Sequence, residues 1–164
     1  MSRPRRTAST PALKVLAGAG VPYTVRAYDH DPRAGVGYGQ EAVAALGEDP
    51  RRVYKTLLAS VDGQLTVAVV PVDHQLDLRK LARALGAKHA EMADPAAAER
   101  ATGYVRGGIS PLGQRTALPT VVDAGALEHP TVLVSAGRRG LDVELAPTDL
   151  VALTGASTAP LGRP

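Results

Sequence analysis

Val53-Tyr54-Lys55-Thr56-Leu57-Leu58-Ala59 places a lysine in the middle of a run that otherwise reads as a buried strand. β-branched and aromatic residues favour an extended chain, whose alternate side chains point to opposite faces. Val53, Lys55 and Leu57 then share one face, and Tyr54, Thr56 and Leu58 the other. Whichever face is buried, the Lys55 ammonium has apolar neighbours. Such a charge is costly unless it meets an anion or lines a wet cleft. Taken alone, a lysine stem lying on the sheet with its head in solvent is the commoner arrangement. The surrounding chain has to decide between the two.

Downstream, Asp62-Gly63 predicts a turn and Leu65–Val70 a second, nearly all-apolar strand. Asp77 opens a helix with Leu78, Leu81, Ala82 and Leu85 at helical spacing, and Asp94-Pro95 opens another that closes at Gly103. A loop rich in glycine follows, from Gly103 to Gly113. Thr120–Asp123, Thr131–Ser135 and Leu141–Leu145 read as strands. The short link Ala136–Gly140 predicts a hairpin that brings Ser135 close to Asp142. Thr148 starts a final short helix. Upstream, Thr10-Pro11 caps and starts a helix that ends at Gly18 or Gly20. Val21–Tyr28 is a strand, Asp31–Gly39 a glycine-rich loop, and Glu41–Leu46 a short helix stopped by Gly47. Strands and helices mix without a steady βαβ rhythm. The reading is an α/β fold with a mixed, partly antiparallel sheet. Residues 10–155 form one domain, flanked by a flexible arm (1–9) and a loose tail (156–164).

The 164 residues include no Phe, no Trp and five Tyr, so the core must be built of Val, Leu and Ala. Few aromatics means few stacking platforms for bases, which argues against a single-strand-binding surface. The net charge of +3 is mildly basic and compatible with a polyanionic partner. Four of the arginines lie near the termini (Arg3, Arg5, Arg6 and Arg163) and read as solvated. The absence of cysteine excludes disulfides, a thiol nucleophile of the enzyme and Cys-based zinc sites. A reducing cytosol fits, and a cytoplasmic location is expected. No apolar run reaches transmembrane length, so no membrane partner is expected.

His30, His74, His89 and His129 lack the HxxxH and HExxH spacings, so no metal site is expected. His30, between aspartates, reads as a solvated loop residue. There is no GxSxG elbow and no P-loop. Gly35-Val36-Gly37-Tyr38-Gly39 gives only a weak phosphate-contact signal. Gly107-Gly108-Ile109-Ser110-Pro111 is stronger, because two glycines let backbone N–H groups approach a carbonyl oxygen or phosphate. With the sheet lysine and the Ser135/Asp142 hairpin it outlines a site of one cation, a nest of amides and small hydroxyls. That outline suits an anionic or ester substrate and supplies no nucleophile from the protein.

Six stretches, taken in order, resemble the YbaK/EbsC aminoacyl-tRNA deacylases. They are Val53-Tyr54-Lys55-Thr56-Leu57, Gln75-Leu76-Asp77-Leu78, Glu91-Met92-Ala93-Asp94-Pro95, Thr102-Gly103-Tyr104, Gly107-Gly108-Ile109-Ser110-Pro111-Leu112-Gly113 and Arg139-Gly140-Leu141-Asp142. The likeness runs from about Thr10 to about Leu153 and looks closest to the branch that hydrolyses Cys-tRNA(Pro), a relative of the editing domain of bacterial prolyl-tRNA synthetases. The resemblance implies a mixed, barrel-like sheet wrapped by helices. It also implies cleavage, without a cofactor, of the ester that joins a mischarged amino acid to the terminal ribose of tRNA. Carried over residue by residue, the essential lysine falls on Lys55 and the GxxxP loop on Gly107–Pro111. The pocket tyrosine falls on Tyr23, the threonine beside the lysine on Thr56, and a late serine and aspartate on Ser135 and Asp142. In that branch the substrate's own thiol attacks the ester, releasing a thiolactone. Gly107 and Gly108 would then steady the oxyanion, while Tyr23, Thr56, Ile109, Ser110, Pro111, Ser135 and Asp142 contact substrate. Prolyl-tRNA synthetase is the implied protein partner, beside the tRNA acceptor end. Two other readings stay open: a deacylase for Ala- or Ser-charged tRNA, and a non-catalytic module that binds tRNA or a synthetase. The loop Arg33–Gln40 departs most from the pattern.

Overall fold

The computed structural model describes residues 9–31 and 37–164. Nearly all of the expected arm, and residues 32–36 of the Asp31–Gly39 loop, lie outside the described residues. In chain order the elements are α1 (Pro11–Ala19), β1 (Tyr23–Ala27), α2 (Tyr38–Leu46), β2 (Tyr54–Val61), β3 (Gln64–Pro71), β4 (Gln75–Leu76), α3 (Leu78–Ala84) and β5 (Ala90–Met92). They continue with α4 (Pro95–Thr102), β6 (Thr120–Asp123), a 3-10 turn (Ala124–Glu128), β7 (Val132–Arg138), β8 (Leu141–Leu145), α5 (Pro147–Thr154), β9 (Ser157–Ala159) and β10 (Gly162–Arg163).

The helix starts follow their capping chemistry. Thr10 Oγ1 accepts from the Leu13 N–H, Asp77 from Arg79 and Lys80, and Asp94 from Ala97. Pro11 and Pro95 sit in the first turn, where a missing N–H costs nothing. Helix α2 begins three residues before the expected Glu41, with Gly37 as its N-cap.

The strands fall into a three-stranded antiparallel sheet, β1-β8-β7, a five-stranded mixed sheet, β5-β2-β3-β6-β9, and the small pair β10-β4. The arrangement is the mixed, partly antiparallel α/β fold expected, with separate sheets and no closed barrel among the described residues. The long β2–β3 hairpin turns at Asp62-Gly63, and β6 and β9 are the parallel members.

Strand β3 is covered on both faces, which explains its near-continuous apolar run. Val67 and Val69 enter the main core with Tyr54, Leu58, Val132, Val134, Val143, Leu16 and Leu150. Ala68 and Val70 enter a second cluster under α3, with Leu81 and Leu161. A third cluster of Ala42, Val53, Val72 and Leu133 seats α2.

The loose tail expected after Gly155 is not what the chain forms. Ser157–Ala159 adds as a parallel strand beside β6, and Gly162-Arg163 pairs with β4. Leu161, fully buried, anchors this segment. Asp123 Oδ2 accepts from the Leu161 and Gly162 N–H groups at 2.9 Å each. Propensity alone misses such short strands, because tertiary pairing rather than local sequence makes them.

Candidate active site

The site begins with a gap in a sheet. Along one side β2 is paired with β3 over its whole length. On the other side β5 pairs only with Ala59, Ser60 and Val61. At the opposite end Val53 bridges to Leu133 of β7. Between those closures Tyr54–Leu58 has no strand neighbour on that side among the described residues. Alternate residues of an antiparallel strand turn their N–H and C=O to the same side. The Val53 carbonyl accepts from Val72 on the β3 side, and the Leu58 carbonyl accepts from Ala93 on the other. The alternation therefore points the Thr56 N–H and C=O into the gap. The Thr56 hydroxyl is the one buried side-chain polar atom without a hydrogen-bond partner among the described residues.

This edge lines a cleft of about 560 Å³, within the usual range for a ligand site. The cleft brings together Lys55, Thr56, Gly107, Ile109, Ser135 and Asp142. The lysine and the glycine loop, far apart in sequence, thus face one cavity. The Lys55 ammonium has no ion pair or hydrogen bond among the described residues. Burial holds its pKa below the ordinary lysine value, against a smaller upward pull from Asp73.

Asp142 sits opposite Ser135 in the β7–β8 register. It is 6% exposed, and burial pushes its carboxyl up to about 7, partly offset by Arg26. Arg26 cannot neutralise it fully, because its guanidinium is held by Glu144 at 2.7 Å and Glu48 at 2.9 Å. Tyr28 lies nearby, and burial together with the Asp142 charge raises its hydroxyl to about 12. The Ser135 Oγ accepts from the Gly137 N–H at 3.1 Å, within the bulge that follows it.

The glycine loop has two halves. Gly107 faces the cleft at φ 85°, where a Cβ would lie 2.7 Å from the Tyr38 ring. Gly108 is pressed against the β7–β8 turn, where a Cβ would lie 2.9 Å from the Arg139 backbone nitrogen. Its own N–H donates to the Val105 carbonyl at 2.9 Å, so it faces away from any ligand. Ser110 and Pro111 are buried outside the lining. The Ser110 Oγ accepts from the Leu112 N–H at 3.2 Å and shapes the turn that supports Gly107 and Ile109.

Tyr23 also lies outside the cleft, paired with Leu145 and packed on the main core. The lining tyrosines are Tyr28, Tyr38 and Tyr54. Tyr23 and Tyr28 are five residues apart, so an extended chain turns them to opposite faces. Tyr28 stood in the Tyr28-Asp29-His30-Asp31 stretch and Tyr38 between two glycines, both visible in sequence but without a signal for the cavity. Arg139 stacks 4.9 Å above the Tyr38 ring, and its Nε donates to the Arg106 carbonyl at 2.8 Å. That contact ties α2, the glycine loop and the hairpin at the mouth of the cleft. His30, expected to be solvated, instead places Nδ1 3.1 Å from both Glu41 carboxylate oxygens.

The family profile described as an aminoacyl-tRNA editing domain matches residues 36–153. Over 162 residues the chain is 36% identical to EbsC of Enterococcus faecalis, named as a candidate Cys-tRNA(Pro)/Cys-tRNA(Cys) deacylase, with 94% of this chain and 93% of EbsC covered. It is 40% identical over 79 residues to the proline–tRNA ligase of Moorella thermoacetica, covering 46% of this chain and 14% of the ligase. Among solved structures, a candidate trans-editing enzyme for prolyl-tRNA synthetase superimposes with a TM-score of 0.79 at 28% identity, covering 94% of this chain and 99% of the other. The chain belongs to the aminoacyl-tRNA editing domain family.

Proposed function

We propose that this protein, an aminoacyl-tRNA deacylase by family, removes the amino acid from mischarged tRNA, with Cys-tRNA(Pro) as its substrate. One observation carries the reading: an unpaired lysine, an unpartnered threonine hydroxyl and the Gly107 backbone converge on one cleft at an open strand edge. A cation suits the terminal phosphate or ribose, and backbone N–H groups suit an ester carbonyl whose oxygen gains charge. The Gly108 amide is engaged within its own loop, so the oxyanion role falls to Gly107, with the Thr56 N–H on the facing edge.

The protein offers no cysteine nucleophile, and the substrate supplies one. The cysteinyl sulfur attacks the ester carbonyl, a C–S bond forms and the C–O bond to the ribose breaks. The thiol proton ends on the departing ribose oxygen, and the products are a four-membered thiolactone and uncharged tRNA. Water then opens the thiolactone to cysteine. Lys55, Thr56 and Gly107 position and stabilise, and no covalent bond to the protein is made. The mild positive charge supports sequence-blind contact with the acceptor end, with prolyl-tRNA synthetase as the partner that selects the tRNA. Among the described residues no helix is long and apolar enough to cross a membrane.

The test is deacylation of Cys-tRNA(Pro) by the purified protein beside correctly charged Pro-tRNA(Pro) and a Ser-charged control. Rapid loss of cysteine alone is expected. Equal rates for serine, a poorer nucleophile, would refute the thiol route.

A further inference from the structure

The Asp142 carboxylate is not accounted for by ester cleavage through a substrate thiol. The residue is 6% exposed and opens onto the cleft beside Tyr28 and Ser135, and its carboxylate makes no hydrogen bond or ion pair among the described residues. The groups around it give it no cation. From β1 comes Arg26, whose guanidinium is committed to Glu144 and Glu48, and just after it Tyr28. From β8 comes Glu144, which also binds Arg52 at 2.8 Å. From α2 comes Glu41, bound to His30 at 3.1 Å. Lys55 lines the same cleft without pairing with Asp142. The charge that acts on Lys55 is Asp73, and the charge that acts on Asp142 is Arg26. The cleft is therefore dipolar, with a cation on the open edge and an unsatisfied acid on the β8 floor.

A largely desolvated carboxylate without a partner is costly, and a ligand that brings a compact cation offsets the cost. An aminoacyl ester carries one next to the scissile bond, its α-ammonium. We propose that Asp142 is the receptor for the free α-amino group of the aminoacyl moiety. The site would thereby accept only aminoacyl esters with an unblocked amine and refuse N-acylated ones. This rests on the deacylase reading above and deepens it. Its consequence is functional: a peptidyl ester or any other N-acylated aminoacyl ester of tRNA carries no α-ammonium, so the enzyme would spare it. The raised proton affinity of Asp142 agrees, since a carboxyl titrating near neutrality is drawn into its charged form when an ammonium docks.

The experiment compares Cys-tRNA(Pro) with its N-acetyl derivative, which keeps the thiol and loses the ammonium. Each enzymatic rate is divided by the spontaneous rate of the same ester. Wild-type enzyme is expected to prefer the free amine by about tenfold or more in kcat/KM. Asp142→Asn is expected to lose that preference through a raised KM for the free-amine substrate. Circular dichroism and a melting curve check that the variant is folded. Equal wild-type rates on the two esters overturn the proposal, as does a preference that survives in Asp142→Asn. An equal fall of kcat on both esters also overturns it, since it would mark a proton-transfer role. Failure of wild type to cleave either ester would defeat the deacylase reading itself, and this inference with it.

Discussion

Lys55 is placed where it costs stability and serves chemistry. Its ammonium is half-buried without a direct partner, and desolvation opposes its charge. Lys55→Met is therefore expected to match or exceed wild type in thermal stability while abolishing deacylation. Melting curves run beside a Cys-tRNA(Pro) assay check both halves, and wild-type rates in the variant would remove Lys55 from the site. Asp142 makes the same trade with a readable pH signature. Its folded pKa, about 7, lies above the ordinary carboxylate value of 3.8. The folded state thus holds a proton that the unfolded chain has released. Stability from this group is greatest below the unfolded value, falls as pH rises from about 4 to about 7, and is flat beyond. The full span is on the order of 4 kcal/mol. Asp142→Asn is expected to flatten that slope and to be more stable than wild type at pH 8, which denaturant titrations at several pH values would measure.

At the scale of elements, glycines that look alike in sequence differ in what surrounds them. Gly108 is pressed against the backbone of Arg138 and Arg139, whereas Gly18, inside α1, has nothing within 4 Å of where a Cβ would stand. Gly108→Ala is expected to cost roughly 1–3 kcal/mol and to reduce deacylation by pushing the loop off the hairpin. Gly18→Ala is expected to stabilise by about 0.5–1 kcal/mol with activity unchanged. Chemical denaturation of the two variants decides both. The elements bounded by caps and turns were legible in the chain: Thr10-Pro11, Asp77, Asp94-Pro95 and the Asp62-Gly63 hairpin each fix their backbone through local chemistry. The Ser135–Asp142 register was legible for the same reason, because a short hairpin link determines its own pairing. Tyr28 and Tyr38 carry no sequence signal for the site, since their place in the cleft depends on how α2 and the glycine loop meet, and no local pattern encodes that meeting. The amide of Gly108 reads as free in sequence, and only the loop's own turn reveals its bond to Val105.

For the molecule as a whole, the last nine residues matter more than their composition suggests. Leu161 fills a cavity under α3, and Asp123, Asp77 and Lys80 all hold the backbone around it. Leu161→Ala is expected to cost about 3 kcal/mol, a fall of roughly 6–12 °C in Tm, measurable by calorimetry. The open stretch of β2 has a further consequence. A bare strand border normally invites a second chain to add on and template fibrils. Here the bare part runs only from Tyr54 to Leu58, about 17 Å, and is closed by Leu133 at one end and β5 at the other. An incoming strand would meet a stop after a single repeat or two, whereas an amino acid on its ribose fits the same length. The doorway that admits substrate is thus too short to seed polymerisation.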